Sequence, residues 1–223
     1  MYIYAMSDIH ACLYEFEQAL SLVDFSGDNK LVLLGDYVHG GPDGYGVLDK
    51  IMHLQLQYGS DKVIALLGNH DDWVLKGTAP INEFWADGVY GNDNVNDDKY
   101  IAWLQTLPMY YVEGNTIFVH AGVDEALEED WEWSDDFYFN EKYPPQTGKF
   151  YMNIVAGHVG SAVVANDSSF HDIFYDGENH YFVDGTVIDS GVIPVLKVDV
   201  EKGKYFRVTE NGDWLILPYD EEN

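Results

Sequence analysis

Three short apolar runs near the start of the chain, residues 3–6, 31–34 and 63–67, most constrain what it can fold into. None alternates apolar with polar side chains, so each reads as a strand covered on both faces, as in a mostly parallel sheet. Parallel neighbours need a crossover between them, and helical stripes occupy both gaps. Leu13, Phe16, Leu20 and Val23 fall on the first stripe, and Val47, Leu48, Ile51, Leu54 and Tyr58 on the second. The first part therefore reads βαβαβ. A further helix is expected after Asn96 as its cap, carrying Tyr100, Ile101, Leu104 and Leu107 before Pro108 ends it.

The second half changes character. Residues 109–112, 116–119, 153–156, 173–175, 181–183 and 192–198 read as strands, and 204–208 with 214–217 as a closing antiparallel pair. Asp176-Gly177 and Asn211-Gly212 are hairpin signals, since such pairs tolerate the positive φ that tight turns demand. Two packed sheets with outer helices accommodate this order. The 223 residues suffice for one such domain, 1–223, and no linker or internal repeat divides them.

Each early run is followed at once by residue types that bind metals: Ser7-Asp8-Ile9-His10, then Gly35-Asp36, then Gly68-Asn69-His70-Asp71. In open α/β sheets, ligands gather beyond the carboxyl ends of the strands, where loops from neighbouring strands converge. Asp8 and His10 would project to one side of an extended segment and could share an ion. His120 and His158 also follow predicted strands, in FVHAG and VAGH. Taken singly, such residues are usually caps, turns or hydrogen-bonded loop groups, and it is their joint order and placement that point to a metal site. Asp71 reads as a helix-start residue, His53 as helix surface, and His171 and His180 as strand-edge or turn residues.

This order, D-x-H, GD, GNHD, HAG and GH, resembles the calcineurin-like metallophosphoesterases over residues 2 to about 200. The branch it resembles holds the phosphoprotein phosphatases and the diadenosine tetraphosphate hydrolases, because Val159-Gly160 follows His158 where many other members carry a second histidine. The resemblance implies an α/β fold, a two-sheet αββα sandwich. It assigns Asp8, His10 and Asp36 to one divalent metal and Asn69, His120 and His158 to another, with Asp36 bridging. Manganese is the expected ion, with iron or zinc as alternatives, since no thiolate is offered. The implied reaction is attack of metal-bound hydroxide on phosphorus, with His70 as general acid. Asp36 and His70 are the catalytic candidates, and Asn69, His39 and Gly40 the candidates for substrate contact. The expected activity is that of a serine/threonine protein phosphatase-like phosphomonoesterase on a phosphorylated substrate, phosphoprotein or nucleotide. The alternatives are a dinucleoside polyphosphate hydrolase and a non-catalytic scaffold of the retromer type.

The chain departs from the family pattern in GDYVHGGPD. His39 and Gly40 stand where relatives commonly carry an acid that orients the general acid and an arginine that grips phosphate. Trp133-Ser134-Asp135 likewise occupies a region where another arginine is common. An arginine at Gly40 should restore a phosphate fork, provided that Gly40 keeps an ordinary backbone angle. Asp184 and Asp189, in the closing segment, read as turn residues. Trp73, Phe84, Trp85, Tyr90, Trp103, Trp131 and Trp133 are candidates for a base-stacking platform, though such aromatics more often pack loops onto a core.

Eleven Lys plus Arg face thirty-nine Asp plus Glu, and Arg207 is the only arginine. A field this negative excludes a nucleic-acid polymer as partner. The stretch from Asp124 to Asp136 holds eight acids in thirteen residues and is expected to border the cleft, where it would penalise polyanions. No apolar run approaches the length of a membrane span and no basic leader opens the sequence, so the expected location is cytoplasmic. A lone Cys12 agrees with a reducing compartment.

Overall fold

The computed structural model describes residues 1–84 and 97–220, together with the backbone of 89–90. The expected cap Asn96, Trp85 and the side chain of Tyr90 lie outside the described residues. From the N-terminus, β1 (Tyr2–Met6), α1 (Leu13–Leu20), β2 (Lys30–Leu33), α2 (Gly44–Tyr58) and β3 (Val63–Ala65) form the βαβαβ unit. Helix α3 (Asn69–Leu75), the short pair β4 (Glu83–Phe84) and β5 (Val89–Tyr90), and α4 (Asp98–Leu104) lead into the second half. There β6 (Tyr110–Glu113) and β7 (Thr116–Val119) precede a 3-10 segment, Glu125–Trp133, and α5 (Asp136–Glu141). The chain continues through β8 (Asn153–Ala156), α6 (Ser161–Val164), β9 (Phe174–Tyr175), β10 (His180–Phe182) and α7 (Val187–Ser190). It closes with β11 (Val195–Asp199), β12 (Lys204–Thr209) and β13 (Gly212–Leu215).

Two sheets result, ordered β13-β12-β11-β1-β2-β3 and β6-β7-β8-β10-β9. In the first, β1, β2 and β3 are mutually parallel; in the second, β7, β8 and β10 are. The two-residue side-chain period then sorts the core into layers. Ile3 and Ala5 of β1 face Phe118, Val155 and Tyr181 of the other sheet. Tyr4 and Met6, between them, face the α1 and α2 residues Phe16, Leu48 and Ile51. Ile117, Ile154 and Phe182 turn the opposite way onto Trp131, Phe139 and Ala165. The layers are thus helix, sheet, sheet, helix.

Three local expectations are corrected. Helix α4 ends at Leu104, not Leu107, because the residue before Pro108 is disfavoured in the α region. The strand expected over 192–198 begins only at Val195, after Pro194, which has no N–H to give a ladder. The one-turn α7 was unexpected, since β-branched Val187 and Ile188 carry little helical signal.

Phe118 is fully buried between the sheets. Phe118→Ala should destabilise the protein by about 3–5 kcal/mol. Urea unfolding checks this, and a loss below about 1 kcal/mol would mean that the inter-sheet layer is not close-packed.

Candidate metal centre

The parallel strands β1, β2, β3, β7, β8 and β10 release the chain at one edge of the sandwich. One to four residues beyond them lie Asp8 and His10, Asp36, Asn69, His120, His158 and Asp184. The first two were expected on an extended segment, but Asp8 has φ 53° and His10 φ 46°, both left-handed. Asp36 at 56° and His158 at 63° share this conformation, which costs a non-glycine residue free energy and persists only where the surroundings enforce it. Backbone braces enforce it here. Asp8 N donates to Gly35 O (3.2 Å), His10 N to Asp36 O (2.9 Å) and Ala11 N to Tyr37 O (2.9 Å). Asp71, in the first turn of α3, accepts from the backbone N–H groups of Asp36 (2.8 Å), Tyr37 (3.0 Å) and Gly68 (3.1 Å). A Cβ at Gly68 would lie 2.3 Å from Asp36 N, so only glycine lets these loops meet.

Two clusters of ligand atoms form around Asp36. His10, Asp36 and His70 place ligand atoms within 4.8 Å of one another, and so do Asp36, His120 and His158. Asp8 joins the first, with Oδ1 3.9 Å from His10 Nε2, as far as Asp36 Oδ2 is from that nitrogen. Asn69 joins the second, with Oδ1 2.9 Å from His120 Nε2 and 3.1 Å from His158 Nδ1. All six expected metal ligands are therefore brought together, with Asp36 common to both groups.

The donor chemistry fits cations. Burial drives His120 well below the usual histidine range, so it is neutral. Its Nδ1 lies 2.9 Å from Leu34 O, which can only accept, so Nδ1 carries the proton and Nε2 the lone pair. That lone pair faces Asn69 Oδ1 and, at 3.5 Å, Asp36 Oδ2, two further acceptors. His10 is arranged alike, its Nδ1 3.3 Å from Val38 O. Burial also pushes the carboxylates up: Asp8 and Asp71 to about 7, Asp184 to about 8, and Asp36 well above its usual range with Asp8 and Asp71 adding to the effect. Among the described residues no lysine or arginine pairs with any of the four. Converging lone pairs and uncompensated buried carboxylates are what a divalent-cation site presents.

His39 and His70 form a second feature. Their Nδ1 atoms are 2.9 Å apart, and His39 Nε2 lies 2.6 Å from Pro80 O. The Pro80 carbonyl only accepts, so His39 Nε2 bears its proton and Nδ1 accepts from His70 Nδ1–H. His39 is buried, with both ring nitrogens committed inside the protein. Trp73, about one third exposed, packs against His70 with ring centroids 4.2 Å apart. Burial, followed by His10 and His39, lowers His70 to about 3.

The family description "Calcineurin-like phosphoesterase" matches residues 1–198. The chain belongs to that family. Among curated relatives, the symmetrical bis(5'-nucleosyl)-tetraphosphatase of Nitrosospira multiformis is 36% identical over 126 residues, 55% of this chain and 44% of the relative. The protein of that name from Aromatoleum aromaticum is 34% identical over 131 residues, 55% of this chain and 45% of the relative. The chain thus spans under half the length of the curated relatives it matches. Solved structures share the calcineurin-like phosphoesterase fold. A putative diadenosine tetraphosphatase has a TM-score of 0.64 at 20% identity, covering 93% of this chain and 92% of that one. The cold-active protein-tyrosine phosphatase of a psychrophilic Shewanella has 0.67 at 14%, covering 97% and 80%.

Gly40 has φ 92°, so an arginine there would carry backbone strain of about 1–2 kcal/mol before gaining anything at phosphate; the premise of an ordinary angle is overturned. Asp184 does form a turn, accepting from Thr186 N at 2.7 Å. It is also buried beside Asp8, a neighbourhood that only its position after a parallel strand could have signalled. The acidic segment spends part of its charge locally. Glu125 pairs with Lys142 (3.0 Å) and His180 (3.1 Å), while Asp124 and Asp135 accept from backbone N–H groups. His180 opens β10 buried, and His53 is exposed on α2. Of the aromatics, Trp131 is core, Trp103 donates to Gln55, and Trp133 is 83% exposed.

The carboxylate cluster predicts a pH response. From about pH 7.5 to 8.5 His10, His120 and His158 are neutral in the unfolded chain and, lowered by burial, in the folded one. Aspartates are then ionised when unfolded, whereas the folded, metal-free protein retains protons on Asp8 and Asp71 to about 7 and on Asp184 to about 8. The folded state binds more protons, so metal-free stability should fall as pH rises across this window. Manganese, which favours the ionised carboxylates, should remove the decline. Thermal melts with and without the ion test this, and a flat or rising metal-free profile refutes it.

Proposed function

We propose that the chain hydrolyses a phosphoanhydride bond of a dinucleoside polyphosphate, of the bis(5'-nucleosyl)-tetraphosphate type. The observation that carries this is the convergence of Asp8, His10, Asp36, Asn69, His120 and His158 about one shared carboxylate. The relatives named as tetraphosphatases support the dinucleotide over the phosphomonoester expected from sequence. Two divalent cations held there would supply Lewis acidity toward phosphoryl oxygens and activation of water, with manganese the proposed ion and iron or zinc alternatives.

The protein's own groups prepare that reaction. Asp36 Oδ2 faces both ligand clusters, 3.9 Å from His10 Nε2 and 3.5 Å from His120 Nε2, while Oδ1 accepts from His70 N at 2.9 Å. Leu34 O and Val38 O fix the rings of His120 and His10, turning Nε2 of each inward. With His70 Nδ1–H donated to His39, His70 would act on the leaving oxygen through Nε2, which donates only in the imidazolium form, a form that the negative charge of a bound phosphate chain favours. His39 gives direction without the negative charge that a carboxylate would add. That support suits a leaving group departing as phosphate better than one departing as alkoxide.

His70→Ala should leave metal content intact and slow turnover on the order of a hundredfold, less for substrates with very good leaving groups. A panel of diadenosine tetraphosphate, an aryl phosphate, an aryl phosphodiester and a phosphopeptide should show preference for the first. Preference for the phosphopeptide would return the assignment to a protein phosphatase. A metal-loaded protein inert on all four would be a scaffold.

A further inference from the structure

We propose that the cavity walled by the start of α1, the turn at 40–42 and α7 binds a neutral nucleobase while the adjoining phosphate chain lies at the metal centre. This rests on the dinucleotide reading and names where that substrate's base would go. Its volume is about 780 Å³, within the usual range for small-molecule sites.

The walls continue the loops that carry the metal-ligand candidates. Cys12 lies two residues past His10, Gly40 four past Asp36, and Val187 three past the buried Asp184. Gly41 N donates to His10 O at 2.8 Å and Asp43 N to Ala11 O at 2.9 Å, so the wall is sewn directly to the His10 loop. Gly40 contributes only backbone to its stretch of wall.

The lining selects against phosphate. Leu13, Pro42, Phe84, Val187 and Ile188 give it an apolar surface, and among its described lining residues there is no lysine, arginine or histidine. Glu15 and Glu17 are the charged groups present, so an anion would be repelled, while ring N–H groups would find acceptors. Tyr14 is 69% exposed and Ile188 40%, an apolar pair on this lining that no packing among the described residues explains. Exposed apolar side chains gathered at a cavity mark a binding surface, and an aromatic ring offers a stacking face. A flat, uncharged heterocycle matches every one of these features.

Tyr14→Ala and Ile188→Asp, both at exposed positions, should leave thermal stability and aryl phosphate kinetics within about twofold. They should raise KM for diadenosine tetraphosphate by at least about tenfold with kcat little changed. Adenosine, which has no phosphate, should give saturation-transfer NMR signals with the metal-loaded wild type that Ile188→Asp abolishes. Unchanged KM and a retained adenosine signal in both variants would overturn the proposal. So would a concentration-dependent dimer lost in Ile188→Asp, which would make a second copy the occupant. Failure of the wild type to cleave diadenosine tetraphosphate while it still binds adenosine here would instead overturn the assigned reaction and leave the base site standing.

Discussion

Asp36 sits where its own loop meets those of His10, His70, His120 and His158, and its burial sets the terms for everything around it. A carboxylate in a dry environment must be neutralised, hydrogen-bonded or matched by a cation. Asp36 receives one backbone bond, from His70 N at 2.9 Å, and Asp8 one from His158 N at 3.0 Å. Asp71 is better satisfied, with three backbone donors, and so holds the Asp36 turn. These aspartates tie loops from different strands to each other's backbones. The site is therefore assembled by the same groups that would hold the ions, and binding and local folding are one equilibrium.

Much of this was legible in the sequence for a simple reason. Strand runs and the residues just after them are local features, and a parallel sheet converts that order along the chain into neighbours in space. The candidate ligands could be picked out by that order, while their division between two metals came from the family resemblance. What escaped was whatever depends on backbone handedness. The left-handed turns at Asp8, His10, Asp36 and His158 leave no mark in composition, and they replace the extended geometry first expected for Asp8 and His10. Asp184 was read as a turn residue, which it is, but burial beside Asp8 is a tertiary fact. Gly40 was legible as a departure, and its φ of 92° was not.

The two neighbouring departures have separable physical effects. His39 acts inward: wedged between Pro80 O and His70, it fixes a tautomer with no charge of its own. Gly40 acts outward, lining the cavity beside the His10 loop with backbone alone. One residue bears on the proton and the other on shape, so changing either alone would not recreate the acid and arginine that the family resemblance leads one to expect.

Charge closes the argument about substrate. The single arginine, Arg207, is engaged with Asp172 at 2.8 Å, and the chain carries a formal net charge of -28. Among the described residues no lysine or arginine reaches either ligand cluster, so a phosphate chain would be held by cations and backbone, with little help from side-chain forks. Long-range repulsion then opposes the approach of any polyanion and is screened within about 10 Å at moderate salt. A substrate that brings uncharged surface as well as phosphate can regain binding free energy through an apolar wall. In this chain that wall begins two residues beyond His10, at Cys12.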